Sequence, residues 1–381
     1  MAGIYLHIPF CAVKCPYCDF YSVPARPAAM DEYLPALLTE IDSAPPGLLA
    51  ETVYFGGGTP ILFGSGRLST VLKKLRKRLA LAKDAEITLE ANPFSTPEQE
   101  YAALFQAGFN RISFGIQSAV PAELRALGRL QGPEQVKKAV FRAKEAGFQN
   151  LSADLMLGIP GQTVTTLRES VEFLDSLNLQ HISAYLLKIE KGTPFEKNGF
   201  ASLCPDEDSQ AELYLEAVSL LKKAGFQQYE ISNFSKPGYE SRHNLKYWRR
   251  EPYLGFGPAA HSFYRGKRYA HPRSLREYLD TQGQNIILTD PCDNPIEEEL
   301  MLRLRLTEGV NIATLVPDKN AVYRVLSTAR PLEKAGFLQM EKERISLTPK
   351  GFLVSNAIIL RLAEAISEKE ASSNGATSTL P

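Results

Sequence analysis

Short apolar runs alternate with stretches of helical spacing from the start of the chain to about residue 235. The runs cover 4–8, 52–55, 86–91, 111–117, 151–158 and 181–187, with a further one at 228–234. Turn residues bound them, whereas the segments between carry apolar positions three and four apart, the period of an amphipathic helix. Within 212–224, for example, Leu213, Ala217, Leu220, Leu221 and Ala224 make one stripe. A punctuation mark recurs: Ala-Gly-Phe stands at 107–109, 146–148, 224–226 and 335–337, each time closing a helical segment. Glycine just past a helix accepts the left-handed conformation, and the Phe behind it can pack back on the last turn. Strand, helix, Gly-Phe, strand is the pattern of a parallel sheet with helical crossovers. Six such units predict an α/β fold, a partial (β/α)6 barrel of the TIM type. Its chemistry then belongs at the C-terminal ends of the strands, in the loops that follow them.

That organisation fills 1–235. Residues 236–295 break into Pro, Gly, Tyr and His-bearing segments and read as a connecting region. Residues 296–366 have a second composition, helical at 297–305 and 321–335, strand-like at 338–340 and 344–347, then helical again. Two helices, a short hairpin and a last helix predict a mainly helical, winged-helix-like module. Its acids and bases are mixed, so it reads as a packing or partner module. The tail, 367–381, is rich in Ser, Gly, Ala and Thr and is expected to be disordered.

Composition narrows the function. Lys+Arg and Asp+Glu both number 43 in 381 residues, so no net field draws nucleic acid or acidic lipid. No stretch approaches the roughly 18 apolar residues of a membrane span. Five cysteines without a secretory signal do not form a disulfide framework, and the expected location is the cytoplasm.

Three of those cysteines, Cys11, Cys15 and Cys18, fall on one loop just after the first strand. Three thiolates hold a metal only if something else supplies the remaining ligand. Zinc takes a fourth protein ligand and an Fe–S cluster ordinarily takes four cysteines, but Asp19 and Phe20 follow Cys18. A cubane held by three cysteines leaves one iron open. The spacing resembles that of the radical S-adenosylmethionine (SAM) family, in which SAM fills the open iron of a [4Fe–4S] cluster. A zinc site completed by a distant His is the alternative.

One loop later stands Tyr54-Phe-Gly56-Gly57-Gly58-Thr59-Pro60, whose glycines let the backbone approach a ligand and whose N–H groups can bind a carboxylate. It is not a phosphate loop, because no Gly-Lys-Ser/Thr follows. Glu90, Gln117 and Asp154 are polar residues at strand ends or within strands, where each needs a partner, and Arg129 follows in a helical region.

Leu-Glu-Ala-Asn-Pro (89–93), Ser-Phe-Gly-Ile-Gln-Ser (113–118) and Asp-Leu-Met-Leu-Gly-Ile-Pro-Gly-Gln (154–162), with Tyr5-Leu-His-Ile-Pro-Phe-Cys11, resemble one branch of that family. It comprises the oxygen-independent coproporphyrinogen III oxidases and their relatives, the HemW-type haem chaperones, and the likeness spans essentially the whole chain. It implies that Tyr5, Gly57, Gly58, Thr59, Glu90, Gln117, Arg129 and Asp154 contact SAM. Three features favour the chaperone branch. Phe20 stands where the oxidases carry a further cysteine, only ten residues precede Cys11, and Arg242-His243-Asn244-Leu-Lys-Tyr247-Trp248 carries the chaperone pattern His-Asn-x-x-Tyr-Trp. By that resemblance His243 is an axial haem ligand, Asn244 orients it, and Tyr247 and Trp248 offer flat faces to the porphyrin. The bland alternative is a histidine and two aromatics packed under the barrel. His261 is a second candidate ligand; His181 and His271 have less to recommend them, and Cys204 and Cys292 receive no role. The expectation is a haem-binding protein on a radical SAM core that passes haem to an acceptor protein of the respiratory type. Coproporphyrinogen oxidase activity is the alternative and is not expected.

Overall fold

The computed structural model describes residues 1–94, 98–129, 132–290 and 293–367. The chain divides into two compact units, Met1–Asp293 and Asn294–Pro381.

Six parallel strands run in chain order through the sheet of the first unit. They are β1 (Ala2–Ile8), β2 (Leu49–Gly57), β3 (Ala80–Ala91), β4 (Arg111–Gln117), β5 (Asn150–Leu157) and β6 (His181–Leu186). Helices α1 (Pro27–Ile41), α2 (Ser65–Arg78), α3 (Glu98–Ala107), α4 (Pro133–Glu145) and α5 (Val164–Ser176) make the crossovers. This is the predicted barrel-type α/β sheet. The Gly-Phe marks work as expected, three here and one in the second unit: Gly108, Gly147, Gly225 and Gly336 have φ of 103°, 109°, 85° and 79°. Behind each, the N–H of Phe109, Phe148, Phe226 or Phe337 donates back to the carbonyl five residues earlier. That is the double-bonded helix stop that only glycine enters cheaply.

Two details differ from the sequence reading. The run at 228–234 is not a parallel strand. It splits into Gln227–Gln228 and β7 (Asn233–Ser235), which pair antiparallel, and β7 lies antiparallel on β6. Tyr229 N–H donates to the Asn233 carbonyl at 3.1 Å, closing a tight turn where a crossover would be needed. Residues 236–290, read as connecting loops, add helix α6 (Arg242–Trp248) and strand β8 (Tyr253–Phe256), which lies parallel to β1 on its free side. Strands His261–Tyr264, Lys267–Ala270 and Ile287–Asp290 extend that edge antiparallel. Each has four residues, too short to give a periodic signal.

The strands alternate. Ile4, Leu6 and Ile8 in β1, Val53 and Phe55 in β2, Ile87 and Leu89 in β3, and Ile112 and Phe114 in β4 are buried on one face. The positions between them are polar or glycine and line up across the sheet. Tyr5 stands opposite Tyr54, Tyr54 opposite Thr88, and Thr88 opposite Arg111. Nearer the C-terminal ends, Glu90 faces Ser113 and Gly115 faces Asp154. Side chains directly opposite on neighbouring strands share a face, so the concave side of this sheet is polar and the helix-covered side apolar.

In the second unit, helices Pro295–Arg303, Lys319–Lys334 and Ser355–Ser367 accompany a three-stranded sheet with Arg344–Leu347 between Val310–Asn311 and Leu338–Glu341. Helix, helix and hairpin follow in the order read from the sequence. The expected disordered tail beyond Ser367 and Cys292 lie outside the described residues. Among the described residues, no helix is long and apolar enough to cross a membrane.

Candidate functional site

The cysteine loop leaves the C-terminal end of β1. Phe10–Cys11 pairs with Val23–Pro24, and Ala25 N–H donates to the Cys11 carbonyl at 2.9 Å, so the loop is tied at both ends. Phe10 is buried and stacks on Phe63 at 5.8 Å, which anchors the start of the loop in the core. Cys11, Cys15 and Cys18 are free thiols and half-buried. Burial pushes the Cys11 and Cys18 thiols up, so a positive ion or cluster is what would hold them as thiolates. The Thr59 hydroxyl points at Cys11 Sγ (3.7 Å), and Arg129 Nη2 lies 4.0 Å from Cys15 Sγ. Among the described residues, no three His, Cys, Asp or Glu side chains converge on a single ion. In a cubane each thiolate binds a different iron, so a cluster needs no such convergence.

The glycine loop is held by hydrogen bonds of its own. Its N–H groups are all engaged: Gly57 donates to Glu90 Oε2 (3.2 Å), Gly58 to the Ile8 carbonyl (2.9 Å) and Thr59 to the Phe10 carbonyl (2.8 Å). The glycines are required sterically. Gly57 has φ of 113°, and a Cβ there would lie 2.7 Å from the His7 ring, while one on Gly58 would lie 2.7 Å from the Phe10 carbonyl oxygen. The loop folds flat against the strand that carries the cysteines, and it brings Thr59 to Cys11.

Glu90 and Asp154 lie on the concave polar face. Tyr54 Oη donates to Glu90 Oε1 (2.9 Å), and Ser113 Oγ approaches Asp154 Oδ1 (3.4 Å). These donors do not offset the loss of water. Burial, then the Asp154 charge, pushes Glu90 up to about 7, and burial pushes Asp154 up to about 6. Gln117 ends β4 after a register irregularity, with φ of 73°. A non-glycine residue there is strained, and its buried side-chain oxygen has no hydrogen-bond partner. Arg129 donates through Nη1 to the Gly115 carbonyl (2.5 Å) and through Nη2 to Tyr17 Oη (3.0 Å). The Tyr5 hydroxyl pairs with His7 Nδ1 (3.1 Å), and His7 Nε2 donates to the Tyr21 carbonyl in the cysteine loop (2.8 Å). Two acids that stay raised although Arg111, and for Asp154 also Arg129, lend them positive charge, plus an orphaned acceptor, fit a cationic ligand such as SAM. Sequence reasoning missed Tyr17 and Tyr185, whose hydroxyls meet Arg129 and Asp154. The alternation of β6 was the signal for Tyr185.

The His243 motif folds elsewhere. Helix α6 sits across the N-terminal part of the strands, capped by Glu86, whose carboxylate accepts from Arg242 N–H and His243 N–H, each at 3.1 Å. His243 is buried, with Nδ1 bonded to Thr52 Oγ1 (2.8 Å) and Nε2 to Tyr247 Oη (2.7 Å). Its ring stacks on Tyr54 at 5.1 Å, and Tyr247 stands edge-on to Tyr253 at 4.6 Å. Both nitrogens are occupied, so haem iron would have to displace one partner to bind here. Burial, followed by Lys246 and Arg111, lowers its pKa to about 3, so the ring is neutral. Asn244 and Trp248 are half-buried on the same helix.

The radical SAM superfamily profile matches residues 5–174, and the HemN C-terminal domain profile matches residues 292–354. Haem chaperone HemW of Mycobacterium tuberculosis (strain ATCC 25618 / H37Rv) is 35% identical over 374 residues, covering 94% of each chain. Haem chaperone HemW of Escherichia coli (strain K12) is 38% identical over 325 residues, 81% of this chain and 83% of that one. The solved coproporphyrinogen III oxidase (HemN) of Escherichia coli superposes with a TM-score of 0.82 at 22% identity, covering 95% of this chain and 89% of that one. That likeness shows the fold.

Replacing His243 by Ala removes a buried ring and strands the Thr52 and Tyr247 hydroxyls. The variant is expected to lose about 3 kcal/mol of stability, read as a lower urea midpoint. An unchanged midpoint would contradict the packing role.

Proposed function

Because the chain belongs to the family of haem chaperones named HemW, within the radical SAM superfamily, we propose that it binds haem and delivers it to an acceptor protein. The observation that carries this reading is a likeness running along nearly the whole of both chains. Superfamily membership brings an iron–sulfur cluster and SAM. We assign the cluster as [4Fe–4S], held by Cys11, Cys15 and Cys18, with SAM at the open iron. When bound, the cluster can supply one electron to the sulfonium of SAM.

The chain's own residues have definite tasks in this reading. Glu90 and Asp154 take the positive groups of SAM, and Gln117 Oε1 accepts a hydrogen bond from it. Tyr54, Ser113 and Tyr185 hold the two carboxyls in place. Arg129 sets Tyr17 and the Cys15 side of the loop. Gly57 and Gly58 allow the close packing that brings Thr59 to Cys11, and Tyr5 holds His7 against the loop. The second reading, oxidative decarboxylation of coproporphyrinogen III, has the common fold in its favour. Phe20, at the place of the oxidases' further cysteine, weighs against it.

Hemin titrated into the anaerobically reconstituted protein is expected to give a saturable Soret change. Incubation with SAM, reductant and coproporphyrinogen III is expected to give no protoporphyrinogen. Turnover without hemin binding would replace the chaperone reading by the oxidase one.

SAM affinity should rise with pH. Glu90 carries a proton below about 7, and a cation binds its ionised form, so binding below that pH must release the proton. Affinity is expected to climb from pH 5.5 to about 7 and then level off, and Glu90→Gln should flatten the profile. A profile that is flat in the wild type would count against the cation site.

A further inference from the structure

Haem iron takes an imidazole only through a free ring nitrogen. Of the five histidines, four have both nitrogens occupied inside the protein. His7 is held by Tyr5 and Tyr21, His181 by Ser152 and Tyr229, His243 by Thr52 and Tyr247, and His271 by Glu40 and the Asn285 carbonyl. His261 differs. It is exposed, and its ring makes no hydrogen bond or ion pair with any described residue.

The surroundings of His261 match the rest of a porphyrin. It opens the strand His261–Tyr264 at the C-terminal end of β8, the end from which the cysteine loop leaves β1. His261 stands opposite Ala270, and Ala270 opposite Ile287, so the three side chains lie in one row on one face. Ala270 is buried between them and Ile287 is 52% exposed, so the apolar surface on this row is the Ile287 side chain, one strand beyond Ala270. The charges of Arg268 and Arg273 are felt at the ring, and of the two Arg268 is engaged with Tyr253 Oη (3.1 Å) and lies over the Phe263 ring (4.7 Å). Arg273 also reaches the cysteine loop, where its Nη1 donates to Asp19 Oδ2 at 3.3 Å. Haem presents a flat apolar macrocycle, an iron that wants a neutral nitrogen, and two propionates that want cations. Burial, then Arg268 and Arg273, lowers the His261 pKa, so the free ring is neutral at pH 7.

Resting on the haem-binding reading above, we infer that His261 is the axial ligand of the haem cargo. The macrocycle reaches the exposed Ile287 side chain, and a propionate turns toward the Arg273 guanidinium. This puts the cargo beside the cysteine loop, at the opposite end of the strands from His243. Haem exchange at an exposed edge needs no opening of the barrel, which suits a protein that must release what it binds.

The test is hemin titration of the full-length reconstituted protein, followed by its Soret band, for wild type, His261→Ala and His243→Gln. His261→Ala is expected to lose the imidazole-ligated spectrum and to bind at least about tenfold more weakly, since even residues that merely orient a ligand cost that much. His243→Gln should keep the wild-type spectrum. Wild-type spectrum and affinity in His261→Ala would overturn the ligand assignment and leave haem binding intact. A wild type that takes up no hemin would instead sink the haem-binding reading itself. Diethylpyrocarbonate labelling, mapped by peptide mass, reads the same residue in the native chain. His261 should be modified ahead of the other four histidines, and bound hemin should protect it. Labelling of His261 that hemin leaves unchanged would also overturn the assignment.

Discussion

Two carboxyl groups, Glu90 and Asp154, are enclosed on the concave face of a parallel sheet, and most of the site follows from what holding them there costs. Tyr54, Gly57, Ser113 and Tyr185 all contribute hydrogen-bond donors. The buried Arg111 guanidinium, two positions before Ser113, lends positive charge to both. Burial still dominates, and both acids stay well above their usual range. A protein gains nothing in stability from such an arrangement, so it reads as a cation site kept ready. The three thiols at its rim and the unpartnered oxygen of Gln117 complete a pocket chemically suited to a sulfonium and an ammonium together.

The two ends of the strands use the same residue types for opposite ends. At the N-terminal end His243, Tyr247 and Tyr54 stack and bond to one another and close the barrel under Glu86 and α6. Every polar atom of that imidazole is satisfied, which makes it a structural element. At the C-terminal end the loops carry free thiols, Phe20 at 69% exposure and the unbonded ring of His261. Chemistry at the open end and sealing at the other is the division expected of a barrel of this kind.

Much of this was legible in the sequence, for identifiable reasons. The barrel strands announce themselves because parallel crossovers repeat one pattern, and the Gly-Phe helix stops because the structure returns the same glycine stop at 107–109, 146–148, 224–226 and 335–337. The cysteine loop stood out by its spacing, and Glu90 and Asp154 because polar groups in an apolar strand require a partner. Residues 236–290 were not, since four-residue strands leave no period to read and β8 pairs with a partner some 250 residues earlier. The glycine loop shows a different limit. Sequence reveals that a Cβ is absent, yet only the fold decides whether the space serves a ligand's approach or, as here, the His7 ring and the Phe10 backbone. His243 illustrates the same limit: a motif names the residue, and its neighbours Thr52 and Tyr247 decide whether a nitrogen remains free.

The central claim, that the concave face holds protonated acid awaiting a cation, can be read directly by infrared difference spectroscopy of the reconstituted protein near pH 6. The account predicts a carbonyl stretch of a buried protonated carboxyl that disappears when SAM is added and is diminished in Glu90→Gln. No such band in the SAM-free protein, or a band that SAM leaves untouched, would contradict it.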